Sequence, residues 1–190
     1  PLSPLIDRSS TTAQPDAATL RACGLAEQAG EFYQRLGHRN GRAFEAAVAD
    51  ARGTTNKVHL PAGHTFLLSP IALVEESDLE IRIDGVVRAP PMDRWPPPPR
   101  EDSALSAERQ RMRYAFLELR RCRAIVISGR GTIEGQGQPW WALRKVRPEV
   151  RAPALLVIRE SRDCAVRYLS LVESPFYHVV VLDSERVTLD

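Results

Sequence analysis

The 190-residue chain holds only two asparagines, two lysines and three cysteines, and no apolar run approaches the ~18–20 residues of a membrane helix. Each scarcity excludes something. No membrane span is expected, and with neither Asn40 nor Asn56 opening an Asn-x-Ser/Thr acceptor, no N-glycosylation is expected either. Cys23, Cys122 and Cys164 show no CxxC spacing, so zinc and thioredoxin-type chemistry lack a signal. Three thiols cannot all pair within one chain, and the spacing does not say which would. The first residues carry no initiator Met and no apolar h-region, so a chain opening at Pro1 is expected to be a processed or excised piece without a signal peptide.

What is present describes one ordinary domain. Apolar residues make up 43% and charged residues 26%, enough for a sizeable core and too few charges for wholesale disorder. The net charge is +2, but of 26 basic residues only Lys57 and Lys145 are lysines, leaving 24 arginines. Arginine offers a planar bidentate fork to carboxylates and a face for aromatic stacking.

Residues 1–41 show no clear period and read as an irregular lead-in or cap. Phe44, Ala47, Val48 and Ala51 then recur at i, i+3, i+4, i+7, one face of a helix that Gly53 stops. Beyond Thr54 short β segments follow: Lys57–Leu60, Thr65–Leu68, the alternation of Leu79, Ile81 and Ile83, then segments around Phe116 and Ile125, Leu155–Ile158, Val166–Leu171 and Val179–Leu182. Gly and Pro separate them, not hairpin dipeptides, which leaves a sandwich or a coiled stack.

A repeat decides between the two. AFLELRRCRAIVISG from Ala115, ALLVIRESRDCAVRYLS from Ala154 and HVVVLDSERVTLD from His178 share the form strand, short polar turn, strand. Ile125, Cys164 and Val187 take the same place in each, and Leu79 takes it one insertion earlier. Cys164 and Val187 stand 23 residues apart, close to one solenoid coil, and the longer spacings are coils with inserted loops. The expected fold is all-β, a right-handed parallel β-helix over 42–190 with one N-terminal capping helix. Its coils bury their apolar faces only against one another.

The stretch 92–113 reads as an inserted loop: Trp95, the stiff run Pro96–Pro99, then alternating Arg109, Arg111 and Arg113, which suit a solvated loop or a patch for an anionic ligand or nucleic acid. No aromatics interleave as in an RNA-binding sheet, so neither nucleic acid nor membrane is an expected partner.

From Phe44 to Asp190 the chain resembles the N-terminal half of glycoside hydrolase family 28, the polygalacturonases and their pectin-cleaving relatives. The resemblance rests on VHLPAGHTFLLSPIAL, on DGVVRAPPMDRW (Asp84–Trp95), and above all on ISGRGTIEGQGQPWW (Ile127–Trp141) followed by Arg147-Pro148 and LVESPFYH (Leu171–His178). It implies a pectin lyase-like solenoid, secreted, that hydrolyses α-1,4 galacturonan links with inversion and without metal or other cofactor. One carboxylic acid would protonate the leaving oxygen while carboxylates ~6.5–9.5 Å away activate water. The family's Asn-Thr-Asp, Asp-Asp, Gly-His-Gly and Arg-Ile-Lys signatures are all absent, so no catalytic residue carries over and the stretch is expected to stop before the catalytic coils and to be inactive by itself. A non-catalytic module that binds acidic polysaccharide or a protein through Arg-rich loops is the alternative.

Among single residues, His178 follows the Ser-Pro turn and is the one weak substrate-binding candidate. Trp140 and Trp141 could stack on sugars, but adjacent residues of an extended segment cannot both face one groove, and packing is expected. Glu134 stands where the family has Asp, in a turn-stabilising role; Asp183 and Asp190 read as turn or surface residues. Without Asn for a stacked ladder, Arg162 and Ser184 occupy its places in the coil turns.

Overall fold

The computed structural model describes residues 31–100 and 104–190, and side chains from residue 41 onward except that of Arg111. Helix α1 (Glu31–Ala51) leads into a first coil of β1 (Lys57–Leu60), β2 (Thr65–Leu67) and β3 (Ile71–Val74). The second coil is β4 (Ser77–Ile83), β5 (Val86–Arg88) and, after helix α2 (Ala107–Arg111), β6 (Ala115–Arg120). The third is β7 (Arg123–Ser128), β8 (Thr132–Glu134), helix α3 (Gln138–Val146) and β9 (Ala154–Arg159). The fourth is β10 (Ala165–Arg167), β11 (Ser170–Val172) and β12 (Val179–Leu182), and β13 (Thr188–Leu189) opens a fifth.

Corresponding strands of successive coils pair in parallel and form three sheets: β1-β4-β7-β10-β13, β2-β5-β8-β11 and β3-β6-β9-β12. The chain is a parallel β-helix. The register matches Leu79 with Ile125, and the pairs Ala165–Val126 and Ala165–Thr188 place Cys164 beside Ile125 and Val187, the column that the repeat marked. Inside the coil, Val58, Ile81, Ile127 and Val166 form one apolar column and Phe66, Val87 and Ile133 another, each residue at most 5% exposed.

Helix α1 starts at Glu31, ten residues before the irregular reading of 1–41 ends, because its first turns lack the apolar spacing that marks Phe44–Ala51; residues 1–30 of that lead-in, with Cys23, lie outside the described residues. Phe44, Ala47, Val48 and Ala51 cover the end of the stack at β1 and β2, which would otherwise open its core to water. The segment Val166–Leu171, expected as one strand, is two: Tyr168 adopts φ +61° and turns the chain from the first sheet into the second.

The insertion 92–113 is fastened to the coils. Trp95 packs edge-on against Tyr114, Phe116 and Trp140, with centroids 5.7, 6.2 and 6.1 Å away, and its indole donates to the Pro90 carbonyl at 2.7 Å. The Tyr114 hydroxyl donates to the Pro96 carbonyl at 2.6 Å, tying down the start of the proline run. Met112 packs with Val157 and Val180 on the outer face of the third sheet. Strand β9 is therefore buried on both faces, which is why Ala154–Ile158 runs apolar without alternating before Arg159. Arg109 pairs with Asp183 at 2.6 Å, so this arginine is a tie to β12 and not a free patch.

The bend between the third and first sheets carries the chain through left-handed conformations at Glu75, Arg121, Glu160 and Asp183, with φ between +46° and +60°. After Glu160 and Asp183 a serine takes the place of an asparagine ladder. The Ser161 hydroxyl accepts from the Cys122 amide at 3.0 Å and donates to the Arg159 carbonyl at 2.8 Å. One coil on, the Ser184 hydroxyl accepts from the Ser161 amide at 3.1 Å and donates to Leu182 at 2.7 Å. Of the two expected ladder places, Ser184 is a rung; the other rung is Ser161, and Arg162 beside it is exposed. Cys122 and Cys164 are buried free thiols, both pushed up in pKa by burial.

Ser161→Ala removes the acceptor of a buried amide while leaving the coil's volume nearly unchanged. It should lower unfolding free energy by about 1–3 kcal/mol, read from urea denaturation at neutral pH.

Candidate functional site

The outward side chains of the first sheet fall into two columns set by the strand register. One runs Lys57, Glu80, Val126, Ala165; the other runs His59, Arg82, Ser128, Arg167. Arg130 and Tyr168 follow just past the ends of β7 and β10. Together Glu80, Arg82, Val126, Ser128, Gly129, Arg130, Arg167 and Tyr168 line an open groove of about 630 Å³.

The groove's acids are occupied. Glu80 is held by Lys57 at 3.0 Å and by the Ser128 hydroxyl at 3.2 Å. Asp84, just past β4, shares Oδ2 with Arg82 Nε at 2.7 Å and His59 Nε2 at 2.9 Å, and its Oδ1 accepts from the Arg130 amide at 3.2 Å. The Arg82 hydrogen bond, opposed by partial burial and helped by the Arg130 amide and His59, holds its carboxyl down at about 2. The bend above it packs without side chains: a Cβ on Gly129, at φ +132°, would sit 1.9 Å from the Ile83 carbonyl oxygen, and one on Gly131 2.2 Å from that of Gly85. Glycine is needed at Gly129 and Gly131 so that two coils can nest, and the nesting aims the Arg130 amide at Asp84.

The guanidinium groups of Arg130 and Arg167 have no ion-pair partner among the described residues and stand exposed at the groove, beside Tyr168, which is 70% exposed. Two uncompensated bidentate cations next to an aromatic ring can hold an anionic, ring-shaped ligand by carboxylate forks and by stacking.

The residues singled out in the sequence fall elsewhere. His178 is exposed ahead of β12, its carbonyl bonded to the Leu156 amide at 3.0 Å, and it does not line the groove. The paired tryptophans sit on α3, not on an extended segment: Trp140 is buried with Tyr114 and Ala152, and Trp141 is 42% exposed. Glu134 pairs with Arg88 of the preceding coil at 2.9 Å. Asp183 is an exposed turn residue and Asp190 lies on the surface. Arg82, Arg130, Arg167 and Tyr168 were not singled out, although counting three residues on from the Leu79/Ile125/Cys164 column reaches the outward positions Arg82, Ser128 and Arg167.

The architecture defines a β-helical protein with an arginine-lined external groove. The sequence profile of glycosyl hydrolases family 28 matches residues 51–190, and the chain belongs to that family. It is 28% identical over 156 residues to a probable polygalacturonase of Arabidopsis thaliana, covering 75% of this chain and 32% of that protein. It is 26% identical to a polygalacturonase of Persea americana, covering 73% of this chain and 29% of that one, so the chain spans about a third of the length of these relatives. A crystal structure assigned to a glycosyl hydrolase of Parabacteroides merdae superposes with a TM-score of 0.58 at 18% identity, covering 80% of this chain and 65% of that one, which supports the fold.

Because the folded pKa of Asp84 lies below its unfolded value, its contribution to stability is complete above about pH 4 and is lost as pH falls through about 2. Asp84→Asn should cost about 1–2 kcal/mol at pH 7 and should flatten the loss of stability between pH 4 and pH 2 in urea titrations.

Proposed function

We propose that the groove on the first sheet binds an acidic polysaccharide of the pectin type, and that this stretch is the binding part of a secreted hydrolase of α-1,4 galacturonan links. The observation that carries the reading is the pair of unpartnered guanidinium groups, Arg130 and Arg167, set beside Tyr168 in a member of glycosyl hydrolases family 28. A galacturonan presents one carboxylate per ring, so a row of arginines on successive coils meets its charges while the tyrosine meets a ring face. Coils stack ~4.8 Å apart, close enough for charges on neighbouring coils to engage one polymer segment together.

The proposed chemistry is inverting hydrolysis, with an acid on the leaving oxygen and a carboxylate-activated water opposite. No residue of the described groove takes those roles: Glu80 and Asp84 already serve Lys57, Ser128, Arg82 and His59. The stretch therefore binds without cleaving. A non-catalytic module with the same groove shares the binding behaviour and differs only in the parent protein's activity.

The test is binding to polygalacturonate by the purified chain, with reducing-sugar release followed in parallel. Binding that weakens steeply with salt, falls roughly tenfold or more in the Arg130→Ala/Arg167→Ala double variant, and produces no release is expected. Release of reducing ends, or full retention of binding in the double variant, overturns the proposal.

A further inference from the structure

Where the third sheet bends into the first, the insertion meets the coils around a pocket of about 280 Å³ that shares no residue with the groove. Its wall brings Arg120, Arg121 and Arg159 of the coils to Arg109 and Arg113 of the insertion. Three of these are matched by acids. Arg109 pairs with Asp183 at 2.6 Å, Arg121 with Glu75 at 2.7 Å, and Arg159 with Glu118 and, at 2.6 Å, with Glu160.

Arg120 is placed differently. It forms no ion pair among the described residues, and its Nε is buried without a hydrogen-bond partner. The strand register adds to the cost. Arg120 stands directly beside Arg159 in the column Val74, Arg120, Arg159, Leu182, and Arg159 is only 8% exposed. Cations side by side on neighbouring strands repel, and a buried guanidinium nitrogen without an acceptor forfeits the hydrogen bond that water gave it. The pocket is short of one anion.

The arrangement also selects which anion. The arginines arrive from β6, from the bend after it, from β9 and from the insertion, so they converge on one place and do not follow a line along which a polymer could lie. No aromatic side chain lines the pocket, so a sugar ring finds no face to stack on. A carboxylate holds both oxygens in one plane and is served by one guanidinium fork. Phosphate and sulfate point oxygens in four directions and can engage several forks together.

We propose that this pocket is a binding site for a small tetrahedral oxyanion, inorganic phosphate or sulfate, with Arg120 as its principal fork and Arg113 contributing from the insertion. The bound anion joins the insertion to β6 and β9 and matches the charge that folding leaves uncompensated at Arg120. It stabilises the fold by mass action, independently of any ligand in the groove.

The test titrates the whole chain with inorganic phosphate at neutral pH, by calorimetry and by thermal unfolding, with ionic strength held constant by sodium chloride. Phosphate should bind saturably at one site per chain and raise the unfolding midpoint. Sulfate should bind within a few-fold of it, and acetate roughly tenfold or more weakly. Saturation is the criterion, because both salts at high concentration stabilise folded chains by exclusion from the surface. Arg120→Met keeps an unbranched apolar stem and removes the unmatched charge. In phosphate-free buffer this variant should unfold at or above the wild-type midpoint, and phosphate should bind it roughly tenfold or more weakly. Arg113→Gln should weaken binding several-fold, while the Arg130→Ala/Arg167→Ala groove variant should bind phosphate as wild type does. A purely structural Arg120 gives the opposite pattern, a variant destabilised without phosphate whose phosphate response is unchanged. That pattern overturns the proposal, as does a response that never saturates or acetate binding as tightly as phosphate.

Discussion

Parallel hydrogen bonding between successive coils is the constraint on which the rest of the molecule depends. Once Leu79, Ile125 and Cys164 are placed in one column, the alternation along each strand sends Ile81, Ile127 and Val166 inward and Arg82, Ser128 and Arg167 outward. A slip of one residue in any coil would exchange those sets and put guanidinium groups into the core. The core and the groove are thus two consequences of one register. The bends must hold that register without asparagine, and they do so with hydroxyls: Ser161 and Ser184 each satisfy an amide of the preceding coil while bonding a carbonyl of their own.

The register also explains what could be read from the sequence. The column of Leu79, Ile125, Cys164 and Val187 is local in pattern, because each member follows a short strand and a polar turn, and it yielded the fold, the parallel pairing and the core. The bend at Tyr168 gave no such signal, since a left-handed tyrosine looks like any strand residue until the corner is seen. Strand β9 was recognisable as apolar, but the reason that it is apolar on both faces, Met112 arriving from the insertion, is a contact between distant parts of the chain.

The site was less legible than the fold for a related reason. His178 was singled out through its motif, yet a motif fixes a residue's neighbours in sequence and not the sheet that it faces. Arg82 and Arg167 belong to no motif string, and Arg130, although it lies within Ile127–Trp141, was not read for its side chain; what brings them together is the stacking of three separate coils. The paired tryptophans show the reverse case, where the expected packing was right for Trp140 although it arises on a helix that separates the two rings by rotation.

The three outer faces differ in how their charge is compensated, and that difference locates the groove. On the second sheet Arg88 is matched by Glu134 of the next coil. On the third, Arg159 lies between Glu118 and Glu160, and the insertion covers Val157 and Val180. On the first sheet the acids Glu80 and Asp84 are held by Lys57, Arg82 and His59, and Arg130 and Arg167 of the following coils form no ion pair among the described residues. An exposed guanidinium loses little by staying solvated, so folding alone does not require a partner for it. Two of them lining one groove, bordered by an exposed tyrosine, nevertheless leave the first sheet as a face where an external polyanion can supply the missing charge without displacing any ion pair of the fold.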